Sequence, residues 1–202
     1  MREIVPGIHT WSWFSSDKGI DFNGYYVLGP GGPVVVDPPP CREEHLARMA
    51  LLGAPRVILI TNGHHLRKAR DLAARFGVPI RIHAADAGMI EPPPDGTFGD
   101  GDRLPGGLTA IGIPDGKTPG ETALHAPWAN ALIVGDAVIG KPAGSLSLLP
   151  ADKFKDPARA RLGLRRLLDV PFASILVGDG SPIIGRGKEA LRELLAVSGA
   201  PS

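Results

Sequence analysis

The 202 residues are 43% hydrophobic, with 22 Lys and Arg against 21 Asp and Glu for a formal net charge of +1. A chain of that length and apolar content can bury a sizeable core as one domain, 1–202, and is neither disordered nor fibrous in composition. Near-neutral charge without a basic stripe of interleaved aromatics argues against a nucleic-acid partner, and the single cysteine, Cys41, excludes an internal disulfide.

The opening segment MREIVPGIHTWSWF lacks the continuous apolar stretch and cleavage site of a signal peptide, so a cytoplasmic protein is expected. No window approaches the roughly 20 apolar residues of a membrane span, and no membrane segment is expected. The runs IHTWSWF, YYVLG and PVVVD then read as short strands, with a tight hairpin turn at Gly29 to Gly32. Residues 42–52 carry helical periodicity through His45, Leu46, Met49 and Leu52, and lead past Pro55 into the apolar strand RVILIT. A polar loop follows Thr61, then a helix from Arg67 to Phe76 stopped by Gly77, then the strand PIRIH.

From Glu91 to Gly107 the pattern reads as loop and turn, before the strands LTAIGI, ALHAP and ALIVGDAV. A helix over 157–168, the strand ASILVGDG and a helix from Gly187 to Val197 complete the chain. The result is two similar halves of mixed strands and helices. Strands apolar on both faces are buried when two sheets pack face to face with helices outside.

At four places a buried strand runs straight into a polar loop: VVVD at Asp37, VILITNGHHLR at Thr61, LIVGD at Asp136 and ILVGDG at Asp179. Polar side chains at the ends of several buried strands converge on one cleft. With PDGKTPGE between them, these segments resemble the metallo-β-lactamase superfamily in order and spacing over nearly the whole chain. The resemblance implies a four-layer αββα sandwich of two mixed sheets flanked by helices.

In that family the second strand-end loop reads T-H-x-H-x-D-H; here Thr61 is followed by Asn62, Gly63, His64, His65, Leu66 and Arg67. The family's G-H-T-P-G falls on Gly116 to Gly120, its histidine on Lys117; the bridging aspartate falls on Asp136, and the final G-H-G histidine on Asp179. Of the seven ligand positions, only His64 and Asp136 keep their identity. Zinc hydrolysis of this kind needs neutral imidazoles and carboxylates around the ions. Leu66 cannot coordinate, Arg67 and Lys117 present positive charge, and Asn62 is a poor ligand.

The expectation is therefore that no dinuclear zinc centre is kept, and that Lys117 and Arg67 stand in for the two metals opposite Asp136 and Asp179. The vestigial cleft, Asn62, His64, His65, Leu66, Arg67, Lys117, Asp136 and Asp179, would bind a small anionic ligand through Lys117, Arg67 and His65. Asp37 is expected to anchor its turn, and an aspartate there supports the family's site from behind; Glu121 is expected to pair with Lys117 near the surface. Two alternatives stand beside this reading. One is a hydrolase of an ester, thioester, lactone or phosphoester using one divalent ion, such as zinc, on His64, Asp136 and Asp179. The other is a scaffold or interaction subunit. The remaining histidines, His9, His45, His83 and His125, have no motif around them, and Trp11, Trp13 and Trp128 are expected in the core or a pocket wall.

Overall fold

The computed structural model describes residues 1–196, so Val197, expected to end the last helix, lies outside the described residues. Seven strands form the first sheet in chain order: β1 (Arg2–Val5), β2 (Ile8–Ser15), β3 (Ile20–Val27), β4 (Val34–Val36), β5 (Val57–Ile60), β6 (Ile80–His83) and β7 (Gly96–Phe98). The hairpin-linked strands β1 to β4 are antiparallel, whereas β4 to β7 run parallel, because crossovers through α1 (Glu43–Leu52), α2 (Ala69–Phe76) and the 3₁₀ turn Ala84–Met89 return the chain to the same end of the sheet. The second sheet follows the order β12-β11-β10-β9-β8, with β8 (Arg103–Leu104), β9 (Leu108–Gly112), β10 (Thr122–Ala126), β11 (Ala131–Val134) and β12 (Ser174–Val177). Helix α3 (Pro157–Gly163), extended by a 3₁₀ turn over Leu164–Asp169, and helix α4 (Gly187–Ala196) belong to this half.

Strand alternation divides the apolar residues among three cores. Val34, Val36, Val57 and Leu59 face inward onto Leu124, Ile133 and Leu176 of the second sheet. Their neighbours Val35, Ile58 and Ile60 face outward and pack under Met49 of α1 and Leu72 of α2. On the far side Leu132, Val134 and Ile175 pack under Leu164 and Leu191. The all-apolar strands are thus covered on both faces, in four layers.

Two parts of the pattern differ from the sequence reading. The stretch from Glu91 to Gly107 contains the short strands β7 and β8, and β1 precedes the first expected strand. Strands of two to four residues carry too little alternation to stand out in the sequence. Trp13 is 42% exposed, contrary to the expected core or pocket-wall placement, because its stretch of β2 projects at the hairpin tip; Trp11 is buried. Among the described residues no helix is long and apolar enough to cross a membrane.

Candidate functional site

The strand ends of both sheets open onto one cleft of about 440 Å³, lined by His64, His65, Arg67, Lys117, Asp136 and Asp179 together with Phe22 and the loops after β11. Each side chain arrives there for a local reason. β4 ends in Asp37, whose positive φ of 48° turns the chain away and leaves its carboxylate buried behind the site. β5 ends in Thr61, after which Asn62 accepts a hydrogen bond from the His64 N–H (2.9 Å) and caps the short 3₁₀ turn Gly63–His65. Arg67, at φ 39°, then reverses the direction into α2.

His65 is the centre of the network. Its Nδ1 donates to Asp37 Oδ2 at 2.8 Å, and the same oxygen accepts the Thr61 hydroxyl at 2.5 Å. Its Nε2 faces Asp136 Oδ2 at 3.5 Å and lies 3.3 Å from Arg67 Nη2. Burial and the Arg67 charge both work against the imidazolium, yet the Asp37 and Asp136 carboxylates outweigh them and raise the pKa to about 10. The two carboxylates thus favour the charged ring, with Nδ1–H on Asp37, while Nε2 faces both Asp136 and the Arg67 guanidinium.

Asp136 Oδ2 also accepts Lys117 Nζ at 2.9 Å and Asn62 Nδ2 at 3.3 Å. Burial alone would raise this carboxyl, but His65 and Lys117 hold it well below the usual carboxylate range. Arg67 binds Asp179 through Nη2, donates through Nη1 to the Asn23 carbonyl at 3.1 Å, and lies over the Phe22 ring at 4.5 Å. Lys117 and Arg67 therefore each meet one aspartate, while His65 lies between the two pairs.

Three expected placements are corrected. Glu121 makes no ion pair with Lys117 among the described residues; it is buried, and its Oε1 accepts the Asp136 N–H (3.1 Å) and Asn62 Nδ2 (3.2 Å). Burial first, then the Asp136 charge, raises its pKa to about 8, which suits a protonated carboxyl at neutral pH. Leu66 does not line the cleft: an alkyl side chain gains nothing among charges, and it packs with the apolar cluster beneath α1 and α2. The histidine beside Asp136 and Asp179 is His65 rather than His64, with one ligand atom from each of the three within 4.8 Å of the others. His64 is exposed at the cleft wall, where partial desolvation of its ring and the Lys117 charge lower its pKa.

The sequence reading missed the residues that hold these loops. Asp86 is fully buried in the 3₁₀ turn Ala84–Met89 and accepts three hydrogen bonds: from the Gly63 N–H (2.9 Å), the Thr118 hydroxyl (2.6 Å) and the Gly120 N–H (2.7 Å). It thereby fixes the Asn62 and Lys117 loops to each other. Asn23, an amide on an otherwise apolar inner strand face, donates to Val177 O (2.9 Å) and Gly180 O (2.7 Å) and ties the sheets together beside Asp179. That polar break in the β3 pattern was the available signal; Asp86 offered none. The glycines of the strand-end pairs serve close approach, since a Cβ at Gly178 would lie 2.6 Å from His65 Cε1 and one at Gly135 2.2 Å from Thr61 Oγ1. Gly178→Ala is expected to destabilise by about 1 to 3 kcal/mol through overpacking against the ring, read as a lowered urea midpoint; an unchanged midpoint would mean the ring has room to move.

At the positions that the family resemblance gives to metal ligands, Asn62 and Lys117 supply no imidazole, Leu66 packs in the apolar cluster, and Arg67 and Lys117 meet Asp179 and Asp136. His65, Asp136 and Asp179 remain the one group of three metal-ligand types found among the described residues.

Comparison with known proteins gives the same ancestry. A hydroxyacylglutathione hydrolase of Acidiphilium cryptum (strain JF-5) is 30% identical over 198 residues, covering 90% of this chain and 79% of that one. The crystal structure of TTHA1623 in a di-iron-bound form superposes with a TM-score of 0.67 at 25% identity, over 86% of this chain and 94% of that one. The metallo-β-lactamase from Pontibacter korlensis reaches a TM-score of 0.76 at 19% identity, over 97% and 98% of the two chains. The metallo-β-lactamase superfamily model matches residues 2–198, the span that carries both sheets and every strand-end loop of the cleft, and the chain belongs to that superfamily.

Proposed function

We propose that this protein is a metallo-β-lactamase-fold descendant of metal-dependent hydrolases whose cleft binds a small anionic ligand without a dinuclear metal centre. The observation that carries the reading is the contact of Lys117 Nζ with Asp136 Oδ2 at 2.9 Å, an ammonium set against the carboxylate the family uses to bridge its ions. Arg67 meets Asp179 in the same way. Lys18 and Lys141 line the cleft as well, against no carboxylates in the lining other than Asp136 and Asp179, which favours an anion over a cation as occupant.

The test is elemental analysis of protein expressed in zinc- and iron-supplemented medium, purified without chelator and dialysed, together with turnover of a hydroxyacylglutathione thioester in added zinc. Well under one equivalent of either metal and no zinc-dependent turnover are expected. Stoichiometric metal with turnover would overturn the proposal. That outcome would favour the second reading, a hydrolase using one divalent ion, for which the grouping of His65, Asp136 and Asp179 is the specific support.

A further inference from the structure

The cations of the cleft divide into two groups. On the floor Lys117 meets Asp136 and Arg67 meets Asp179, while the His65 ring lies between Asp37 and Asp136. An anion seated there would draw a cation away from a largely buried carboxylate and leave that charge uncompensated. At the mouth, Lys18 and Lys141 are exposed and make no ion pair among the described residues, whereas Lys153 is engaged by Asp152 at 2.7 Å. Lys141 Nζ donates to the Gly19 carbonyl at 3.2 Å, so its loop is tied to the hairpin turn that carries Lys18.

The walls between mouth and floor are apolar. Ile20 and Phe22 of β3 line the cleft while Asp21 between them does not, and Lys18 lines it from the preceding turn. Ile139 and Leu149 line it too. A volume of about 440 Å³ falls in the small-molecule range.

Resting on the anion-binding reading above, we infer that the ligand is a small amphipathic anion with its apolar body between Phe22 and Ile20 on one wall and Ile139 and Leu149 on the other. Its negative group sits at the mouth against Lys18 and Lys141, leaving the floor pairs intact. Anion charge and apolar area then both contribute, and either alone binds more weakly than the two together.

The experiment is a calorimetric titration of the dialysed full chain with sodium octanoate, 1-octanol and inorganic phosphate. Octanoate is expected to bind about tenfold more tightly than octanol, and phosphate more weakly than octanoate. Lys18→Ala with Lys141→Ala should bring octanoate down to the octanol level and leave octanol unchanged; Phe22→Ala should weaken both. These lysines are exposed, so the double variant should keep its fold, which circular dichroism checks. Octanoate affinity unchanged in that variant but lost in Lys117→Met with Asp136→Asn would overturn the mouth placement, while the anion-binding reading stands. Phosphate binding without octanoate binding would overturn the amphipathic ligand and again spare that reading. Binding of neither anion would overturn both.

Discussion

Replacing His65 by alanine is expected to cost the fold about 3 to 5 kcal/mol, the range for breaking a buried ion pair from one side. The ring is fully enclosed, and without it Asp37 loses its 2.8 Å partner while Asp136 keeps only Lys117 and Asn62. Circular dichroism across a urea gradient reads the loss. A cost below about 1 kcal/mol, the size of an exposed pair, would mean that the ring is not a charged member of the network. The same network fixes the pH dependence. A histidine raised from 6.5 to about 10 contributes stability that is fully present below pH 6.5 and lost as pH rises through 10. Glu121, raised from 4.5 to about 8, acts in the same direction: its protonated form favours the fold, and that contribution disappears as pH climbs from 4.5 through 8. Stability should therefore fall from pH 7 to pH 10, and His65→Gln should flatten part of that slope. A flat alkaline limb in the wild type would contradict the assignment.

Lys117→Ala is expected to destabilise by about 2 to 3 kcal/mol, below the fully buried range because its side chain is 21% exposed and His65 still faces Asp136. The change of Lys117→Met with Asp136→Asn should recover part of this, since both members of the pair are then neutral and the amide can still hydrogen-bond. Denaturant midpoints of the two variants and the wild type decide it. If the double variant is no more stable than Lys117→Ala, an unpaired carboxylate does not account for the loss.

The layers of the fold were legible because the strands PVVVD, RVILIT and ALIVGDAV are apolar on both faces, a pattern satisfied only between other layers. The cleft was legible in part because strand-end motifs keep their order; this put Lys117 beside Asp136 and Arg67 beside Asp179. The adjacent histidines His64 and His65 were harder. A 3₁₀ turn throws neighbouring side chains to different sides, and the linear pattern does not say which one enters the floor. Glu121 was misread because its spacing from Lys117 suggested a surface pair, whereas it lies beneath Asp136. Asp86 acts through three contacts far apart in sequence, and no local pattern announces such a residue.

The central claim, that side chains of this chain stand where the family holds its ions, is tested most directly by the urea midpoint of the wild type measured with and without EDTA, beside that of Lys117→Ala. An unchanged midpoint in EDTA together with a clear drop for Lys117→Ala is predicted, because in the proposed reading the ammonium, and not a metal, holds the carboxylate. A midpoint that EDTA lowers strongly while Lys117→Ala leaves it unmoved would contradict the account.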